Sequence, residues 1–397
     1  MSFNIATSGL NAITQQMNAI SNNIANSGTT GYKSMRAEFS ALYAGSAPLG
    51  VGVSSLSQSI STGGGISGTG RNLDLAINGN GFFVVRDTNG STSYTRAGYF
   101  GTDNDGYLVN NMGSKLQGYP VNGEGKLQSG TIGDLQINAS GLPAKSSSTL
   151  DFVANLDART EAKPAAPGFD PDNNDTFNNS YTSQVYDSLG REHTLTQYFV
   201  KNDENAWTAY YVVDGDKASA TSSPLEFDTN GLLTSPTGPV NVTAPATGAD
   251  DLNININYSG SSQYGSDFSV SKNKADGYKS GEKTGQQIDD DGMVYATFSN
   301  GQRLLQGQMV LANFTNPDGL QATDGTTWQQ TNGSGAPLLG TPKSGMYGTI
   351  KSAALESSNV DLTAELVGLM SAQRNYQANT KVISTNDQMM NALFQAL

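Results

Sequence analysis

The chain of 397 residues contains no cysteine and a single histidine, His193. The first absence excludes a disulfide framework and any thiolate metal site. The second removes the multi-histidine zinc sites and most histidine-based catalytic triads. Charge is scarce too, at 14% of residues, and one-sided: 22 Lys and Arg against 35 Asp and Glu give a formal net charge of −13. With no basic run to displace counterions from a phosphate backbone, no nucleic-acid partner is expected. No stretch approaches the ~20 apolar residues of a membrane-spanning helix, so no membrane insertion is expected. The N-terminus also lacks the basic and apolar regions of a secretory signal peptide.

Glycine is what the chain has in plenty, with 46 residues, while only 36% of residues are hydrophobic. That composition suits a turn-rich β-protein better than a helical enzyme. Asn-Gly occurs seven times and Asp-Gly six, as at Asn89-Gly90, Asp105-Gly106, Asn230-Gly231 and Asn300-Gly301. Such pairs supply the positive φ of tight hairpin turns. Leu252-Asn253-Ile254-Asn255-Ile256-Asn257-Tyr258 alternates as a strand with one buried face. Residues 194–200 and 207–213, joined by a polar turn, read as a hairpin.

The two ends differ from this middle. The first 32 residues carry no charged side chain, and Lys33 is the first. Within them Phe3, Ala6, Leu10, Ile13, Met17, Ile20 and Ile24 are spaced 3, 4, 3, 4, 3, 4, the narrow heptad stripe of a helix that packs on another helix. At the C-terminus Leu362, Leu369, Tyr376, Ile383, Met390 and Leu397 recur every seven residues, with Leu366 and Phe394 partly filling the complementary position. Asn359 or Asp361 can cap this second helix, and Glu365 lies near its positive end. Two heptad stripes most simply form a coiled coil with each other, with neighbouring subunits, or with both.

The polar, Pro- and Asn-rich stretch 157–180 looks like a loop entering a new domain, and the apolar-poor stretch 271–287 like its exit. The expected fold is therefore mainly β with α-helical termini, nested and multi-domain. Residues 1–70 and 355–397 form terminal helices and a connecting segment. Residues 71–147 and 286–354 form a split β-domain, into which 148–285 is inserted as a second, distal β-domain.

Motifs of site chemistry are few and incomplete. Gly63–Gly68 satisfies G-x-G-x-x-G, but no helix pattern follows it. Residues 277–284 only approach a phosphate loop, because Glu282 separates Gly281 from Lys283, and they read as a solvated linker. Asp170, Asp172 and Asn174 have the first spacings of a calcium loop, yet Asp175 stands where glycine is needed and Tyr181 where a bidentate Glu is needed. Asp289-Asp290-Asp291-Gly292 reads as a turn, and His193 as a surface or structural residue. No catalytic residue, metal ligand or cofactor is expected, and the chain is not expected to be an enzyme.

Four blocks resemble the bacterial flagellar rod and hook axial proteins: SNNIANSGTTGYKS (21–34), GRNLDLAINGNGFFVV (70–85), YTRAGYFGTDNDGYLVNNMGSKLQGYP (94–120) and the stretch from Ala354 to Leu393. In the first block Asn22, Asn23, Ala25, Asn26, Thr30, Gly31, Tyr32 and Lys33 match the family signature. Rod members are shorter and lack a large outer domain, so the insert is what a hook subunit would add. The resemblance implies a bendable helical homopolymer that transmits torque from rod to filament. It also implies export through the flagellum's own apparatus without a cleaved signal, and partners in the hook cap, distal rod and hook–filament junction. The polymerisation interface would join Leu10, Ile13, Met17, Ile20 and Ile24 to Leu362, Leu366, Leu369, Tyr376 and Ile383. A straight distal-rod-like subunit stays open as an alternative. So does a secreted β-rich adhesin whose terminal helices form an oligomerisation stalk.

Overall fold

The computed structural model describes residues 2–44, 47–123, 125–138, 140–164, 166 and 168–396. Two compact units result. The first comprises Met1–Ala139, Gly285–Thr297 and Arg303–Leu397, the second Ser140–Thr284 and Phe298–Gln302. The terminal helices thus share a unit with the split β-structure. The second unit begins before residue 148 and takes in the turn at 298–302.

Helix α1 spans Ser2–Ala25. Its exit is chemically dressed: Asn26 Nδ2 donates to the Asn22 carbonyl at 3.0 Å, and Ser27 Oγ to that of Ile24 at 2.9 Å. These bonds satisfy carbonyls that have no partner within the helix. An antiparallel hairpin follows, Met35–Ala44 with Ala47–Gln58. Helix α2 spans Leu362–Ala396. Asp361 caps it, accepting from the amides of Thr363 at 2.9 Å and Ala364 at 3.2 Å. Leu397 and the side chain of Phe394 lie outside the described residues.

The β-structure of the first unit is assembled from chain on both sides of the insert. Strand Arg303–Met309 pairs with Lys115–Pro120, and Leu311–Asn313 with Phe82–Arg86. Thr349–Ser352 pairs with Leu75–Asn78. Its core gathers Ile60, Phe82, Val84, Tyr94, Phe314, Leu320 and Trp328. Phe82 meets Phe314 and Trp328 edge-on, with centroids 6.0 and 5.8 Å away.

The second unit contains two sheets among the described residues. One orders Val240–Ala244, Leu252–Asn257, Thr149–Asp157 and Ser262–Tyr264, with Ser269–Ala275 also on the third of these. The other is a meander from Asn179–Tyr186 through Glu192–Asp203, Ala206–Val213 and Asp216–Phe227 to Leu233–Ser235. Leu252, Ile254 and Ile256 are buried with Phe152, Leu195, Phe199 and Trp207, as the alternation predicts. Each such side chain contributes roughly 1.5–3 kcal/mol on burial. The stretch 271–287, expected to be an exit loop, begins as strand instead, because Ser269–Ala275 pairs antiparallel with 150–155. Most of its side chains face solvent, so no apolar alternation marks it.

Candidate assembly surface and its anchor

The two terminal helices pack antiparallel. A Cβ on Gly9 would lie 3.0 Å from Asn379 Oδ1, and one on Gly368 3.5 Å from Ile20 Cδ1. Asn23 Nδ2 donates to Glu365 Oε1 at 2.8 Å. Residues facing each other in all three pairs sum to the same number, so one register runs along the whole contact. The α1 face turned inward is built from Ala6, Gly9, Ala12, Ala19, Ile20 and Asn23, and on α2 Ala372 is buried. Small side chains let the two axes approach closely.

Of the expected interface residues, Ile20 is buried, and Leu10, Ile13, Met17, Ile24, Leu369 and Ile383 are half-buried. Leu362, Leu366 and Tyr376 are exposed, Leu366 at 47%. The seam inside the chain therefore runs through Gly9, Ile20 and Asn23 of α1 and is rotated away from the centre of the heptad stripe. Phe3, Ile5, Val367, Met370, Val382, Met389 and Met390 add further exposed apolar surface. A groove of about 560 Å³ lies where the helices meet the hairpin, lined by Ile5, Ile13, Phe39, Val51 and Ala378 among others.

Where α1 ends, the signature residues build an anchor. Asn23, fully buried, receives Tyr32 OH at 3.1 Å and the Met35 amide at 2.8 Å on its Oδ1, and donates from Nδ2 to the Met35 carbonyl at 2.7 Å. Asn22 Oδ1 accepts from Asn26 Nδ2, and Thr30 Oγ1 lies 2.7 Å from Tyr99 OH. Ala25 is the last residue of the helix. Gly31 adopts φ +71° with its backbone pressed against Ala97. Lys33 Nζ donates to Glu356 Oε1 and the Thr62 carbonyl, each at 2.7 Å.

Glu356 is the hub. Arg96 Nη1 reaches its other oxygen at 3.1 Å, and the Gly64 amide donates at 2.9 Å. The glycine run at 63–68 thus serves a carboxylate within the chain. A Cβ on Gly64 would sit 1.8 Å from the Ser357 carbonyl oxygen. Burial pushes the Lys33 and Arg96 pKa values down, and the Glu356 counter-charge only partly offsets it. For Glu356 burial acts upward, but Arg96 and Lys33 outweigh it and hold the carboxyl below its usual value. Asn359, an alternative helix cap by sequence, instead accepts from the Ser34 amide at 2.7 Å and donates to the Ser59 carbonyl at 3.0 Å. Sequence reasoning missed Arg96, Glu356 and Glu365 as parts of this site. The available signal was the placing of charges inside otherwise weakly charged blocks.

The remaining chemical candidates resolve into structure. Lys217 Nζ binds Asp170 at 2.8 Å and Asp172 at 2.6 Å, standing where a cation would. Asp289 pairs with Arg303 and Asp290 with Lys343 across the 289–292 turn. The stretch 277–284, expected to be a solvated linker, is held by backbone bonds: Gly281 exchanges two with Leu142, and Tyr278 two with Lys145. Among the described residues no group of three or more acidic or histidine side chains is placed to hold a metal.

Four family descriptions match along the chain: Flagella basal body rod protein at 3–33, Flagellar hook protein FlgE/F/G D1 domain at 76–144, Flagellar basal body protein FlaE D2 domain at 155–278, and Flagellar basal body rod FlgEFG protein C-terminal at 351–396. The flagellar hook protein FlgE of Salmonella typhimurium is 41% identical, with 99% of each chain covered. That of Escherichia coli is 40% identical over the same shares, and that of Borreliella burgdorferi 31% over 97% of each. The crystal structure of Helicobacter pylori flagellar hook protein FlgE2 matches with a TM-score of 0.55 at 16% identity, covering 73% of this chain and all of that one. That last likeness is one of fold.

Proposed function

The chain belongs to the flagellar hook protein family and is a structural subunit of the bacterial flagellar hook, and from that premise we propose how its surfaces build a tube. Copies of the chain associate through α1 and α2 into an inner wall. The observation that carries this reading is the rotated seam. The helix pair closes on small residues and leaves Leu362, Leu366, Val367, Met370 and Tyr376 uncovered. A contact between unlike faces propagates as a helix and does not close into a ring. The absence of charge before Lys33 suits such packing, because buried charges among crowded helices need partners while Asn, Gln, Ser and Thr can bond to one another.

In this reading the unit built on residues 148–285 is the outer domain of a bendable coupling that carries torque from rod to filament. Its polar surface suits shallow, wet contacts that exchange as the tube turns. The hook cap, distal rod, hook–filament junction and flagellar export apparatus are its further proposed partners. The role is architectural, and no reaction is assigned to it.

Electron microscopy of purified flagella labelled with antibody against residues 148–285 tests the reading. Label is expected along the outside of a short curved segment between rod and filament. Label on a straight rod, or protein elsewhere on the cell with bare flagella, overturns it.

A further inference from the structure

The single histidine lies between two carboxylates in the second unit. His193 Nδ1 is 2.6 Å from Asp214 Oδ2, and Nε2 is 3.3 Å from Asp187 Oδ2. Asp187 is fully buried and organises the turn at 187–191. Its Oδ1 accepts the amides of Leu189 and Arg191, each at 2.9 Å, and its Oδ2 accepts Arg191 Nε at 2.6 Å. Asp214 opens the two-residue turn to Gly215, both at positive φ, and accepts the Thr194 amide at 2.7 Å.

This cluster sits beside the first and last segments of the same unit, around residues 144–147 and 279. Gly190 packs so closely that an added Cβ would lie 2.7 Å from Ala144 Cβ and 3.3 Å from Lys279 Cα. The Ser147 amide donates to the Tyr186 carbonyl at 2.8 Å, and Ser147 Oγ accepts the Tyr186 amide at 2.9 Å.

We infer that His193 is a proton-operated clamp, tying the turn at 187–191 to the turn at 214–215 when both ring nitrogens carry hydrogen. A carboxylate only accepts, while neutral imidazole has one N–H and one lone pair. Imidazolium satisfies both Asp214 and Asp187; neutral imidazole satisfies one and turns a lone pair toward the other. The shorter bond keeps the hydrogen on Nδ1, so the tie to Asp187 is the one released.

The charged groups around the ring are Asp187 and Asp214, with Arg191 already engaged by Asp187 and Glu192 adjacent on the same strand. Burial acts against the charged ring, but Asp214 and Asp187 outweigh it and hold His193 above its usual 6.5. The clamp is therefore closed below that pH and opens as pH rises through the raised value.

The test uses the full-length monomer labelled with ¹⁵N-histidine, in which one imidazole gives one titration. His193 is expected to titrate above 6.5, with both nitrogens protonated on the acid side. Amide-exchange protection factors of Leu189 and Arg191 are expected to fall as the ring loses its proton. In His193→Gln that fall disappears, and in Asp214→Asn the imidazole titrates lower. A wild-type ring titrating at or below 6.5, or an identical loss of protection in His193→Gln, overturns the clamp.

Discussion

Lys33 and Glu356 are paired at 2.7 Å with side chains no more than 1% exposed, although 323 residues separate them in sequence. The first charge of the chain thus closes its N-terminal segment onto the strand that leads into α2. Arg96 joins from the split β-structure, so one carboxylate binds three distant segments. In this joint Asn23 and Tyr32 hold the helix end and Gly31 lets the backbone pass.

Glu356→Gln leaves two buried cations without their shared counter-charge. Removing one partner of a buried ion pair costs about 3–5 kcal/mol. The two tryptophans separate the units: Trp328 reports the first, in a W207F background, and Trp207 the second, in a W328F background. The urea midpoint read by Trp328 is expected to fall while that read by Trp207 stays. An unchanged Trp328 midpoint would remove Glu356 from its place as hub.

Acid should act at the same point. Glu356 is held below its usual value, against burial, by Arg96 and Lys33. Its folded pKa lies below the unfolded one, so its stabilisation is complete above about pH 4.5 and is lost as pH falls through the folded value. Stability of the first unit, followed by Trp328, is expected to decline over that acid range in the parent chain. The Glu356→Gln variant, already weakened, should show a flatter profile, and parallel profiles would contradict the assignment.

Periodicity made the two helices and the strands at 194–200, 207–213 and 252–258 legible, and the alternation at 252–258 even showed which side chains enter the core. The seam between the helices was less visible because Gly9 and Gly368, which lie in it, carry no side chain to register in an apolar stripe. The hub was hidden for another reason. Arg96, Glu356 and Lys33 come together only through tertiary pairing, and no local spacing marks that. Ser269–Ala275 escaped because a strand with mostly exposed side chains has no alternation to show.

The rotated seam divides two substitutions that the heptad stripe treats alike. Leu366 is exposed in the subunit, so Leu366→Asp should leave thermal unfolding of the monomer nearly unchanged and prevent tube formation in sedimentation and microscopy. Ile20 is buried against Gly368, so Ile20→Asp places a carboxylate between the helices and should reduce helical circular dichroism before assembly begins. Normal tubes from Leu366→Asp would count against the proposed wall.

Two glycines three residues apart give the sharpest control on the anchor. Gly31 adopts φ +71°, and an added Cβ would lie 2.6 Å from the Ala97 nitrogen and 2.8 Å from the Arg96 carbonyl carbon. Neither atom can retreat without moving the segment that carries Arg96 to Glu356. A side chain in this backbone region costs on the order of 1–3 kcal/mol before any clash is counted. Gly28 has no neighbour within 4 Å of an added Cβ and no positive φ, so alanine there should be neutral or stabilising by about 0.4–1 kcal/mol through the unfolded chain. Gly31→Ala is therefore expected to lower the Trp328 urea midpoint and Gly28→Ala to hold or raise it. Equal effects at the two positions would mean that the backbone at Gly31 yields without disturbing the joint.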